Sequence, residues 1–224
     1  MALKPGAALL FDIDGTLVES DPLHLEAFNL VFGPRGHHFD RERFGRELQG
    51  LANEAIAARF LPEENAARRV EIMNEKEATF RRLAEAGIEP VHGLFDLLDW
   101  ADSMDVPMVA VTNAPRANAD QLLDAIRVRH RFRAVVVAED LAHGKPHPLP
   151  YLEGLRLLGA DAENSVAFED SRTGIASATA AGIATIGMAT GLEPGQLVEA
   201  GAVIGAADYR DKTLLDFVKG RLLA

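Results

Sequence analysis

The chain has 224 residues, of which 48% are hydrophobic and 25% charged, with a formal net charge of −11 and no cysteine. That charge works against a general nucleic-acid or anionic-membrane binder, because its long-range field repels both, and the missing thiols exclude disulfides and thiolate metal sites. The apolar part of the N-terminus is too short for a signal peptide, and no window approaches the ~18 apolar residues of a membrane span, so a soluble, cytoplasmic protein is expected.

The first apolar run, AALLFDID, reads as a strand ending at Asp12 and Asp14. From residue 17 to 87 no convincing strand follows, and the pattern reads as four helices. Asp21 looks like an N-cap with Pro22 at the first helical position, and Gly33-Pro34 stops that helix. A second helix is expected over 40–48, closed by Gly50, and a third over 53–60. The fourth spans 62–86, with Val70, Met73, Phe80 and Ala84 on one face and Gly87 as terminator.

After this module come the runs VPMVAVTNA, RAVVVAED, SVAFED and IATIGMAT. Helical patterns over 93–104, 118–129, 151–158 and 171–181 lie among them, and 214–222 reads as a closing helix. Near-continuous hydrophobicity marks strands buried on both faces. Their alternation with helices implies a parallel sheet covered on both sides. The expected fold is α/β: a doubly wound parallel-sheet (Rossmann-like) core of residues 1–16 and 88–224, with a four-helix module of residues 17–87 inserted in it.

Residues i and i+2 of a strand point to the same side, so Asp12 and Asp14 project together at a carboxyl strand end, where open parallel sheets place ligands. Two carboxylates about 4 Å apart repel by roughly 4 kcal/mol at an effective dielectric of ~20. Such a pair calls for a metal or for one acid holding a proton. An Asp-Gly turn would be the plain explanation of this stretch alone, but the other strand ends argue otherwise. SVAFED leaves Glu169 and Asp170 at a second carboxyl edge, and VAVTNA leaves Thr112 and Asn113 at a third. Lys145 lies in the proline-braced loop GKPHP. Together these residues make one site with anions, a cation and hydrogen-bond donors.

In chain order, DIDGT (12–16), VTN (111–113), GKP (144–146) and FEDS (168–171) resemble the motifs of the haloacid dehalogenase-like superfamily. The likeness is to its phosphatase and sugar-phosphate mutase branch and covers essentially the whole chain. It implies that the 17–87 module is a cap domain and that the chain is a Mg²⁺-dependent phosphatase. The substrate would be a small phosphorylated metabolite, such as a sugar phosphate or phosphoglycolate. By this resemblance Asp12 attacks phosphorus to form an aspartyl-phosphate. Asp14 protonates the leaving oxygen and then activates water. Mg²⁺ is held by Asp12, the Asp14 backbone carbonyl and Asp170, with Glu169 acting through water. Lys145 and Thr112 bind phosphate oxygens, and Asn113 joins the substrate-binding set. His24 corresponds to a cap histidine that faces the site. Lys76, flanked by Glu75 and Glu77, reads from position alone as solvated, and by resemblance reaches the substrate.

The mutase branch grips a second phosphate with an arginine three residues after a glycine. In LQGLANEAI that position, after Gly50, is Asn53, which favours a phosphatase over a phosphomutase of the β-phosphoglucomutase type. Dehalogenation needs no proton donor at Asp14, a phosphonatase would use Lys76 as a Schiff base, and a non-catalytic binding protein would not need the full set of acids with Lys145. The pairs His37-His38 and His143/His147 read as loop residues. A monomer or weak homo-oligomer without nucleic-acid or membrane partners is expected.

Overall fold

The computed structural model of the protein describes residues 2–224. Its strands are β1 (Leu9–Phe11), β2 (Met108–Thr112), β3 (Ala134–Val137), β4 (Val166–Glu169), β5 (Ala184–Met188) and β6 (Ile204–Ala206). They form one sheet in the order β3-β2-β1-β4-β5-β6, with every pairing parallel. β1 lies between β2 and β4, with Leu9 opposite Met108 on one side and Val166 on the other. The chain therefore crosses over β1 when it passes from β3 to β4. This reversal places a ligand crevice at the carboxyl ends of β1, β2 and β4.

Alternate residues of each central strand serve opposite faces. Leu9, Phe11, Met108, Ala110, Val166 and Phe168 enter one apolar cluster with α5 (Leu94–Ser103), α6 (Arg116–Ala125) and α10 (Lys212–Leu222). Leu10, Val109, Val111 and Ala167 enter the other, against α7 (Leu149–Leu158) and α8 (Arg172–Ala180). Burial on both faces explains why these strands read as continuous hydrophobic runs rather than alternating ones.

Between β1 and α5 lie α1 (Asp21–Phe32), α2 (Arg41–Glu47), α3 (Asn53–Phe60) and α4 (Ala66–Ala84). They share a separate cluster built from Phe28, Phe32, Phe39, Phe44, Phe60 and Ile72. Three sequence expectations need correction here. Asp21 is the first residue of α1 rather than its cap; Ser20 holds the N-cap position without capping through its side chain, because its hydroxyl is used elsewhere. Val70 is 59% exposed, since it sits in the first turns of α4 at the rim of the groove between α3 and α4. Lys76 and Glu77 are buried on that helix instead. α4 also starts at Ala66 rather than residue 62, because Asn65 caps it by accepting from the Arg68 amide at 3.0 Å.

The sheet's last strand, β6, and α9 (Pro194–Glu199) went unread in the sequence. β6 has only three residues, one of them glycine. No described helix is long and apolar enough to cross a membrane.

Candidate active site

The Asp12 amide donates to Phe168 O at 3.0 Å, so the β1–β4 ladder continues into the first acid. The chain then folds back tightly: Leu17 N donates to Ile13 O at 2.8 Å and Gly15 N to Val18 O at 2.9 Å. Gly15 has φ of +70°, and a Cβ there would stand 2.2 Å from Asp170 Oδ2. Only glycine meets both demands, the left-handed backbone and the close approach. The turn thus delivers Asp14 while leaving room for Asp170.

Around Asp12 the acids converge. Asp12, Glu169 and Asp170 are all buried, and one ligand oxygen of each lies within 4.8 Å of the others. Lys145 Nζ donates to Asp12 Oδ1 at 2.6 Å, Glu169 Oε1 at 2.6 Å and Val111 O at 2.7 Å. These contacts occupy all three ammonium hydrogens. Burial alone would push this ammonium's pKa down, but Asp12 and Glu169 outweigh it and hold the pKa above the usual lysine range. Glu169 Oε1 also accepts from Tyr151 Oη at 2.7 Å, and Oε2 from Ser171 Oγ at 3.3 Å. One ammonium does not compensate three carboxylates. Burial raises Asp12 well above the ordinary carboxylate range despite Lys145. Asp170 is raised by burial and by the charges of Asp21, Asp12 and Glu169. An all-oxygen donor set with surplus negative charge fits a hard divalent cation.

Asp14 has different surroundings. His24 Nε2 lies 2.9 Å from Asp14 Oδ1, and Ser20 Oγ donates to the same oxygen at 2.7 Å. Lys76 Nζ lies 2.9 Å from His24 Nδ1. A lysine ammonium can only donate, so Nδ1 accepts, and the ring's proton sits on Nε2 facing Asp14. The imidazole also stacks on Phe80, with centroids 3.7 Å apart. Burial would raise Asp14, but His24, Ser20 and Lys76 together hold it below its ordinary range. The two aspartates of the first motif are thus driven in opposite directions.

The remaining expected residues gather at the same cavity. Thr112 lines it, with Oγ1 accepting from Ala114 N at 2.9 Å. Asn113 lines it as well, but its amide is committed to backbone: Nδ2 donates to Gly50 O and Lys145 O at 3.0 and 3.1 Å, and Oδ1 accepts from Lys145 N at 2.8 Å. Asn53 and Lys76 line the opposite wall, and Lys76, at 3% exposure, is not solvated. Residues not singled out in the sequence also contribute. Gln49 Nε2 donates to Asp21 Oδ2 at 2.9 Å and to Asp170 Oδ2 at 2.7 Å. Ser20 carried one signal, its position next to the helix start, and Tyr151 carried none beyond an apolar periodicity.

A parallel sheet with acids, a lysine and a hydroxyl at adjacent carboxyl strand ends, roofed by inserted helices, defines a hydrolase-type α/β site. Residues 9–188 match the family of haloacid dehalogenase-like hydrolases, and the chain belongs to it. It is 30% identical over 223 residues to protein CbbY of Rhodobacter capsulatus, covering 91% of each chain. It is 31% identical over 204 residues to a phosphorylated carbohydrates phosphatase of Thermotoga maritima, covering 88% of this chain and 92% of that protein. Among solved structures, CbbY of Rhodobacter sphaeroides in complex with xylulose-(1,5)bisphosphate superposes with a TM-score of 0.81 at 28% identity, over 92% of this chain and 95% of that one.

Proposed function

We propose that the protein is a Mg²⁺-dependent phosphatase that hydrolyses a small phosphomonoester of the sugar-phosphate or phosphoglycolate type through an aspartyl-phosphate on Asp12. The observation that carries this reading is the contrast between the two aspartates: Asp12 is bonded to Lys145, and Asp14 is held apart by His24 and Ser20. Two neighbouring acids with divergent environments divide nucleophile from acid–base work.

In this reading Lys145 engages Asp12 Oδ1 and leaves Oδ2 to attack phosphorus. The Asp12–phosphorus bond forms as the bond to the leaving oxygen breaks, and that oxygen takes a proton from Asp14. Asp14 then removes a proton from water, the water oxygen bonds to phosphorus, and Asp12 is released. In the structure Asp14 is held as the anion by His24 and Ser20, ready to act as base. An arriving phosphate dianion would raise its pKa and favour the protonated form needed first. Asp12, Asp170 and Glu169 would hold Mg²⁺, which supplies charge neutralisation and polarisation of the phosphoryl group. Residues 17–87 would act as a cap that closes over the site and excludes bulk water.

The test is phosphate release from a panel of phosphomonoesters with and without Mg²⁺, for the natural chain and for Asp12→Asn. The expected result is turnover that EDTA abolishes and that the variant lacks. Full activity in EDTA, or retained hydrolysis by Asp12→Asn, would sink the assignment.

A further inference from the structure

Glu77 stands outside the phosphoryl chemistry, yet it is only 4% exposed and lines the same cavity from α4. Its carboxylate is braced from both sides. Lys76 Nζ donates to Oε1 at 3.1 Å, and Asn118 Nδ2, from α6, donates to Oε2 at 2.6 Å. Arg81 Nη1 in turn donates to Asn118 Oδ1 at 2.8 Å, fixing the amide's orientation. Burial pushes Glu77 up, but Lys76, His24, Asn53 and Asn118 outweigh it and keep the group anionic.

The consequence lies in the charge of the wall facing Asp12. Lys76 is the only lysine that α1–α4 contribute to the cavity, and no arginine lines it among the described residues. Glu77 neutralises that lysine, which is also bonded to His24 Nδ1 and sits 4.3 Å from the centre of the Phe28 ring. The apolar part of the wall is Phe28, Phe44, Leu48, Leu51 and Ile56, and its polar members besides Lys76 and Glu77 are Asp21, His24, Gln49 and Asn53, none of which brings a lysine or arginine charge. A second phosphate or a carboxylate placed there would meet a fixed anion with no free cation to offset it. A hydroxyl, by contrast, can donate to the carboxylate's unused lone pairs.

We infer that Glu77 sets the substrate class, admitting a single phosphate on a neutral, hydroxylated leaving group and rejecting substrates with a second anionic group. The inference rests on the phosphatase reading and narrows it, setting phosphoglycolate and bisphosphates aside. It separates this chain from the Rhodobacter sphaeroides CbbY structure, which holds a bisphosphate. Rejection through a buried like charge is a common source of specificity.

The experiment compares fructose 1-phosphate with fructose 1,6-bisphosphate on the Mg²⁺-loaded protein, by kcat/KM and by calorimetric binding. The natural chain is expected to prefer the monophosphate by at least about tenfold, as like-charge juxtaposition disfavours the wrong partner. Glu77→Gln, which keeps the shape and frees Lys76, should move that ratio about tenfold toward the bisphosphate, mainly through KM. Asn53→Arg, which adds a cation without touching the Glu77 braces from Lys76 and Asn118, should move it the same way and keeps the test open if the first variant folds poorly. Folded variants with unchanged ratios, or a natural chain indifferent to the second phosphate, would overturn the inference. If no phosphomonoester of the wider panel is hydrolysed either, the phosphatase reading falls, while the binding ratios still decide the role of Glu77.

Discussion

At the scale of single residues, the site depends on how differently it treats acids of one chemical type. Asp14 is the group whose removal should depend most on the leaving group. Asp14→Asn is expected to cost about 10²–10⁴-fold in kcat on an alkyl phosphate, the usual worth of a positioned acid–base group. With p-nitrophenyl phosphate the leaving group departs without protonation, so the first step survives. A burst of nitrophenolate of about one equivalent per site should precede slow turnover, as expected when a covalent intermediate accumulates. Equal losses on both substrates, with no burst, would remove Asp14 as the proton donor. Asp12, Asp14, Glu169 and Asp170 were legible in the sequence because each lies at or just beyond the carboxyl end of β1 or β4, and strand ends in a parallel sheet converge whatever the connections between them. Glu77 and Ser20 were not legible, because their tasks depend on what packs against them. The Glu77–Asn118 bond joins residues 41 positions apart, and local pattern is silent about such a meeting. Lys76 was readable only through the family likeness, since a lysine between two glutamates has the local pattern of an exposed helix face.

Among the elements, the segment between α2 and α3 ties the inserted helices directly to the sheet edge. Gly50 O accepts from Asn113 Nδ2 at 3.0 Å and from Thr173 Oγ1 at 2.9 Å, while the adjacent Gln49 reaches Asp170. Gly50 has φ of +72°, and a Cβ there would stand 2.3 Å from Thr173 Oγ1 and 2.5 Å from Ser171 Oγ. Gly50→Ala would carry the left-handed backbone cost of about 1–2 kcal/mol and also displace two core hydroxyls. The loop should lift from the site edge. Amide exchange over residues 48–52 is then expected to quicken by about tenfold, as 1.4 kcal/mol of local opening free energy implies. The amides of β1 and β4 should stay protected. Unchanged exchange in the loop would show that it is not a clasp. Gly50 illustrates a limit of sequence reading at this scale: it reads as a helix terminator, whereas its carbonyl grips the core and its missing side chain makes the approach possible. Strands β1–β5 and the helices α5–α8 and α10 declared themselves by hydrophobic runs and periodicity. Val70 misled because periodicity identifies a face, not the length over which a partner covers it.

For the molecule as a whole, a chain of net charge −11 buries acids that drive its stability in opposite directions with pH. Asp12 and Asp170 are raised, and burial lifts Asp21 from 3.8 to about 6. For a raised carboxyl, the folded state binds more protons than the unfolded one above about pH 4. That stabilising contribution is fully present below about pH 4 and is lost as pH rises through the folded value, about 6 for Asp21. Asp14 and Glu77 are lowered, so their contribution is present above the ordinary carboxylate range and is lost on acidification. Without a cation, Asp21 alone makes stability fall between about pH 4 and 6. A divalent cation competes with protons for Asp12 and Asp170, so it should restore most where those protons have already left. At about a hundredfold excess over Kd, Mg²⁺ would add roughly 2.7 kcal/mol, or about 5–10 °C in Tm for a chain of this size. That increment is expected near pH 7.5 and should shrink clearly at pH 5, as read by scanning calorimetry with and without Mg²⁺. An increment equal at both pH values would mean that the cation does not bind through these carboxylates, and no increment at either would mean that the cluster does not hold Mg²⁺.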